Sequence, residues 1–154
     1  MVRRVAITGI GILSPFGRGR DAAVDALRNA RSGVRRIESI DTTELNCRIA
    51  GEVPKEAHDG AFRGFDRFSR FALIAAEEAA AQANLGESHV DPHRVGALIG
   101  TGMGGCETLD AGYRRVYKDA QTRVPPTMIA WSMYNAAASA VSTHFGAKGP
   151  AYAT

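Results

Sequence analysis

The order of buried strands, glycine clusters and amphipathic helices predicts an α/β chain with a mostly parallel central sheet covered by helices. Two runs, at residues 3–8 and 94–100, are compact and β-branched, as strands buried on both faces are. Each run leads straight into a glycine cluster, and helical spacing follows each cluster. Strands that alternate with helices build parallel sheets, because a crossover must return the chain before the next strand starts.

The elements follow in order. The first run ends in GIGILSPFG, where Gly9, Gly11, Pro15 and Gly17 mark a long turn. Asp21 is the expected N-cap of a helix that carries Ala22, Val24, Ala26, Leu27 and Ala30 and stops at Gly33. A short strand over 48–53 lies among polar loops. Over 65–85 the apolar residues fall at helical intervals: Phe65, Phe68, Phe71, Ala72, Ala75, Ala76, Ala79 and Ala80 share one wide face. Asn84 and Gly86 close that helix. The second run, RVGALIG, enters TGMGG, and a helix is expected over 107–118. Pro125-Pro126 opens another over 127–145, which ends at Gly146. The closing residues, GPAYAT, read as a further strand that stops at Thr154, as expected for a piece of a longer protein.

Composition narrows the function. The 154 residues are 45% hydrophobic and 23% charged, which fits a globular chain and excludes disordered or collagen-like ones. A formal charge of +3 is too small to argue for nucleic acid. No run approaches the roughly 20 apolar residues of a membrane span. The basic start at 1–4 meets Gly9, Gly11 and Pro15 with no small-residue cleavage site, so no signal peptide is expected. The two cysteines, Cys47 and Cys106, make no disulfide framework and fit a reduced, cytoplasmic compartment. His58, His89, His93 and His144 lack metal or triad spacing, so no metal is expected.

Three features could carry chemistry. Gly100, Gly102 and Gly105 match G-x-G-x-x-G between a strand and a helix, the context of a dinucleotide fingerprint. Asp119 lies about 20 positions on, but in VYKDAQTR and not at the end of an apolar strand. The alternative is a tight turn that brings backbone close to a pocket. Cys106 stands at a helix N-terminus, where the dipole favours a thiolate, yet no histidine is placed beside it as a base. A small buried thiol is the plainer role, and Cys47 reads as structural. Arg63, Arg67 and Arg70 share a helical face, with Arg123 elsewhere; such a cluster is either a solvated face or a docking surface.

Together these segments resemble the N-terminal half of the β-ketoacyl-acyl carrier protein synthases, condensing enzymes of the thiolase-like fold, and most closely their elongation type. RVAITGIGILSPFG, FDRFSRFALIAAEEA, RVGALIGTGMGG and the late helix with Asn135 and its exit FGAKGPAYAT stand in the family's order and spacing. The resemblance covers residues 1–154, and the strand beginning directly after Met1 is similar to that of a discrete synthase.

The resemblance implies a 3-oxoacyl-[acyl-carrier-protein] synthase of fatty acid biosynthesis, which joins malonyl-carrier protein to an acyl thioester by decarboxylative Claisen condensation. It implies a catalytic cysteine shortly after the position of Gly149-Pro150 and two histidines further on, all beyond Thr154. No catalytic residue is therefore expected in these 154 residues, which alone should be inactive. Met103 corresponds to the floor of the acyl pocket, between Gly102 and Gly104, and Ile129 and Met133 fall on a helix that lines the partner subunit's tunnel. Arg63 matches a basic position that meets acyl carrier protein; Arg67, Arg70 and Arg123 lie near it. The family's substrates ride on carrier phosphopantetheine, with no other cofactor. Its members form homodimers, or heterodimers with a homologue. Two other readings remain: a non-catalytic chain-length partner that shares these motifs, and a dinucleotide-binding domain.

Overall fold

A computed structural model describes residues 4–87 and 89–154; the basic start at residues 1–3, with the first residue of the expected N-terminal strand, lies outside them. Among the described residues, short strands form three two-stranded sheets. β1 (Leu13–Ser14) and β2 (Gly17–Arg18) make an antiparallel hairpin across the Pro15-Phe16 turn. β3 (Arg35–Arg36) and β4 (Ile49–Ala50) pair antiparallel. β5 (Ala97–Ile99) and β6 (Ala151–Ala153) run parallel, with Ala97 opposite Ala151 and Ile99 opposite Ala153. Their entry is tight. A Cβ on Gly96 would stand 2.6 Å from the Pro150 carbonyl oxygen, and one on Gly149 2.5 Å from that of Val95.

The helices are α1 (Arg20–Arg28), α2 (Arg67–Gln82), α3 (Cys106–Tyr113), α4 (Met128–Ser132) and α5 (Ala136–His144). α2 packs along α5, and α5 also covers β5 and β6. The core there is Leu73 and Ile74 from α2, Ala137, Ala138 and Ala140 from α5, and Ala97 from β5. Burying Leu73 and Ile74 contributes about 1.5–3 kcal/mol each, and the alanines let the helix backbones approach. Both helices end in the same hydrogen-bonded motif. Leu85 N–H bonds to the Ala80 carbonyl and Asn84 N–H to that of Ala81, with Asn84 at φ 51°. Gly146, at φ 63°, does this for α5. Left-handed C′ residues of this kind satisfy the last carbonyls, which is why Asn84 and Gly146 stop these helices.

The sequence expectations need four corrections. Residues 4–8 join no strand among the described residues, although the apolar run at 3–8 predicts one. Val5 and Ile7 are 93% and 83% exposed, and the chain just after this run is held by α2, with the amides of Ile10 and Ile12 donating to Gln82 Oε1 (2.6 Å) and Glu78 Oε2 (2.8 Å). Strand pairing needs a neighbour about 4.8 Å away, and an apolar cleft of about 310 Å³ lies between Thr8-Gly9 and Gly96-Ala97. Second, Asp21 does not cap α1. The cap position is Gly19, and Glu78 Oε1 accepts from Arg20 N–H at 2.7 Å. α1 ends through Ala30 at φ 49°, ahead of Gly33. Third, the helix expected over 107–118 is α-helical only to Tyr113; Arg114–Lys118 widens into a π-helix. Fourth, the helix expected over 127–145 breaks at 133–135. Met133 is extended (φ −66°, ψ 147°), and the Ser132 carbonyl turns to accept from Gly105 N–H at 3.1 Å.

Candidate functional site

The glycine loop at 100–105 is built from both ends. At its start, Thr101 N–H donates to the Thr154 carbonyl, extending the β5–β6 pairing. At its end, the broken helix sets the shape. A Cβ on Gly105 would lie 2.4 Å from the Trp131 carbonyl oxygen and 3.1 Å from Asp66 Cγ. Gly104, at φ 63°, would meet the Ser132 carbonyl at 2.9 Å, whereas Gly102 has open space. The second half of the G-x-G-x-x-G pattern is thus filled by the backbone of residues 131–134, where a dinucleotide fingerprint would offer its close approach to phosphate. These glycines admit a neighbouring chain segment.

Met103 rises from this loop 71% exposed, with Ile129 at 64% and Met133 at 49% on the facing α4 segment. The loop and the broken helix meet through the backbone at Gly104 and Gly105, and all three side chains are open to solvent. Two clefts lie over α2, against residues 8–11 and 95–101, and include none of the three. Gly112 of α3 accommodates Met128, whose Sδ would stand 2.3 Å from a Cβ there.

The basic residues divide by environment. Arg63 and Arg123 are exposed, with no ion pair among the described residues. Arg67 is exposed and pairs with Glu107 at 3.4 Å. Arg70 turns inward, donating from Nε to the Ala61 carbonyl (2.9 Å) and from its terminal nitrogen to that of His58. It braces the loop before α2. Partial burial, then the Arg70 and Arg67 charges, hold the His58 imidazole below its ordinary pKa, and its ring sits edge-on to Phe71 at 5.1 Å.

Cys106 is the first residue of α3, half-buried, with its thiol 3.5 Å from the Met103 carbonyl. Cys47 is exposed. His144 pairs with Glu77 at 3.4 Å and packs against Phe62 and Phe145. Among the described residues no group of His, Cys, Asp or Glu could hold a metal ion. No helix there is long and apolar enough to cross a membrane.

Sequence reasoning missed one residue that organises the site. Asp66 is buried, caps α2 by accepting from Phe68 N–H (3.1 Å), and accepts from Thr108 N–H (2.8 Å) and Oγ1 (2.6 Å) of α3. An Asp ahead of a helical run is a legible cap signal; its second partner, 42 residues on, is not.

The family model for the beta-ketoacyl synthase N-terminal domain matches residues 2–154. The chain is 34% identical over 162 aligned positions to 3-oxoacyl-[acyl-carrier-protein] synthase 2 of Staphylococcus aureus (strain COL), covering 99% of this chain and 38% of that relative. Among solved structures it is similar to the ishigamide ketosynthase/chain length factor (TM-score 0.79, 21% identity, 99% of this chain and 40% of that one). It is equally similar in fold to a chain of AntDE:AntF, a type II PKS acyl-carrier protein in complex with its ketosynthase bound to the hexaketide (TM-score 0.79, 24% identity, 99% and 38%). The fold is thus the thiolase-like α/β fold of ketosynthases, and the chain spans well under half the length of the relatives it matches. It belongs to the beta-ketoacyl synthase family, as that family's N-terminal domain.

Proposed function

We propose that these residues form the N-terminal part of a 3-oxoacyl-[acyl-carrier-protein] synthase. The observation that carries this reading is the 34% identity to 3-oxoacyl-[acyl-carrier-protein] synthase 2 across 99% of the chain. In the whole enzyme an acyl group passes from its carrier thioester to a cysteine sulfur, releasing the carrier thiol. Malonyl-carrier protein then loses carbon dioxide, and the resulting carbanion attacks the acyl carbonyl and expels the cysteine sulfur. In this reading the nucleophile and its two histidines lie beyond Thr154, and this chain supplies chain-length selection and docking.

Met103 forms the floor of the acyl pocket. The open space at Gly102 and the left-handed turn at Gly104 let backbone and acyl chain come close, and Ile129 and Met133 line the tunnel of a partner subunit. Met is long and unbranched, so this floor yields more readily than a branched side chain. Arg63, Arg67 and Arg123 meet the acidic carrier protein, and Arg70 braces residues 58–61 just ahead of Arg63. Such docking is electrostatic and weakens with salt. The open apolar surface of Met103, Ile129, Met133 and Tyr134, with the outer edge of β6, suits a cytoplasmic homodimer.

The test uses the full-length protein. Carrier-protein-dependent elongation of malonyl units is expected, and Met103→Phe should shorten the longest product, because a rigid ring closes the floor. An unchanged product profile rejects the placement of Met103. The fold similarity to a ketosynthase/chain length factor favours one second reading, a non-catalytic chain-length partner. A cysteine-directed condensing-enzyme inhibitor separates the two: a single covalent adduct on the full-length protein supports the synthase, and none supports the partner.

A further inference from the structure

α3 has no side-chain cap of its own. It starts after Gly105, where Cys106 N–H bonds to the Gly104 carbonyl and Thr108 N–H is taken up by the residue that caps another helix. That residue is Asp66, only 6% exposed. One carboxylate serves both helices: Oδ1 takes Phe68 N–H of α2, and Oδ2 takes Thr108 N–H and Oγ1 of α3. Both helix ends present positive dipole charge to it, and charge-assisted bonds of this kind are short and directional.

The clamp reaches the glycine loop through Gly105. That residue lies between the Asp66 carboxylate and the Trp131 carbonyl, with no room for a side chain on either flank. Its N–H bonds to the Ser132 carbonyl, and its own carbonyl accepts from Leu109 N–H. α2, α3 and the break after α4 are thus registered at one point. Met103 stands two residues before it, and Ile129 and Met133 lie on the chain segment that carries Ser132.

We propose that Asp66 is a positioning residue for acyl-chain length: by clamping α3 to α2 it fixes the height of Met103 against the α4 segment. The proposal rests on the reading of Met103 as the pocket floor. An error of this kind in an apolar pocket acts on the outermost carbons of a long chain and leaves short chains untouched. The role is therefore one of selectivity.

The experiment uses the full-length synthase with carrier-borne primers of increasing length, reading kcat and KM separately. In Asp66→Asn one amide edge is a donor, so either Phe68 or Thr108 N–H loses its acceptor. The kcat/KM ratio of the longest accepted primer to a short one should change by about tenfold, the order of one mismatched methylene, with short-primer kcat retained. Thr108→Val, which deletes one of the bonds, should shift the ratio in the same direction by less, and Thr108→Ser should restore it. Glu107→Gln, which breaks only the exposed pair with Arg67, should leave the ratio unchanged. If Asp66→Asn does not fold, the Thr108→Val and Thr108→Ser pair decides. Ratios unchanged in folded Asp66→Asn and in Thr108→Val overturn the positioning role. If Met103→Phe shifts the profile while the clamp variants do not, only this proposal fails. If Met103→Phe does not shift it either, the pocket-floor reading falls and takes the proposal with it.

Discussion

Where α2 meets α5, small side chains are buried; around the glycine loop, large ones lie open. On the first side, Ala137, Ala138 and Ala140 let two helices approach until Leu73 and Ile74 are enclosed. On the second, Met103, Ile129, Met133 and Tyr134 are exposed, while the backbone beneath them is the closely packed part, held by Gly104, Gly105 and Asp66. The first side is built for stability, since Leu73 and Ile74 are almost fully buried there. The second has a rigid frame carrying uncovered apolar side chains, the arrangement expected where contact with something else supplies the burial.

The contrast is sharpest in truncations. Leu73→Ala should cost about 2–5 kcal/mol through lost transfer energy and a cavity, whereas Met103→Ala should stay within about 0.5 kcal/mol. Denaturant unfolding of both variants checks this, and a comparable loss at Met103 would break the comparison. Within the loop, Gly105→Ala drives a methyl into the Trp131 carbonyl and should cost about 1–3 kcal/mol. Gly102→Ala meets nothing and should be close to neutral. Equal melting temperatures for the two would mean that the loop is not packed against the broken helix.

Smaller effects refine the buried side. Ser69 is buried with its hydroxyl unpartnered among the described residues. Ser69→Ala removes that group and should raise stability by about 1 kcal/mol. The smallest effect concerns pH. His58 binds its proton less readily in the folded chain than in the unfolded one, through burial and then Arg70. Its contribution is fully present above the ordinary histidine value of about 6.5 and is lost as pH falls through the lower folded value. A melting-temperature profile from about pH 7 to about pH 5 should fall less steeply in His58→Gln than in the parent. An identical slope would show that His58 does not differ between the two states.

Local signals carried much of this fold. The apolar face of α2, its closure at Asn84, the end of α5 at Gly146 and the strand character of β5 and β6 all follow from residues close in sequence, because helix period and left-handed C-caps are decided within a turn or two. The glycine loop was legible as a place of close approach, but its neighbour was not. A G-x-G-x-x-G pattern reports only that side chains are excluded, and here the broken helix after α4 takes the space.

The remaining differences arise from long-range partners. Residues 4–8 have a strand's composition but join no strand among the described residues, and the chain just after them is held by Gln82 and Glu78, more than 60 positions away. Asp21 has the type of a cap, but Glu78 already satisfies the start of α1. Residues 127–145 have helical periodicity, and the chain leaves it where the Ser132 carbonyl is claimed by Gly105. By itself the sequence determined the α/β class, the family and which residue types face inward, since these depend on pattern and composition. Only the tertiary structure decided that one buried carboxylate at Asp66 joins two helix starts and that Arg70 turns away from solvent. A hydrogen bond between distant residues leaves no periodic trace in the chain.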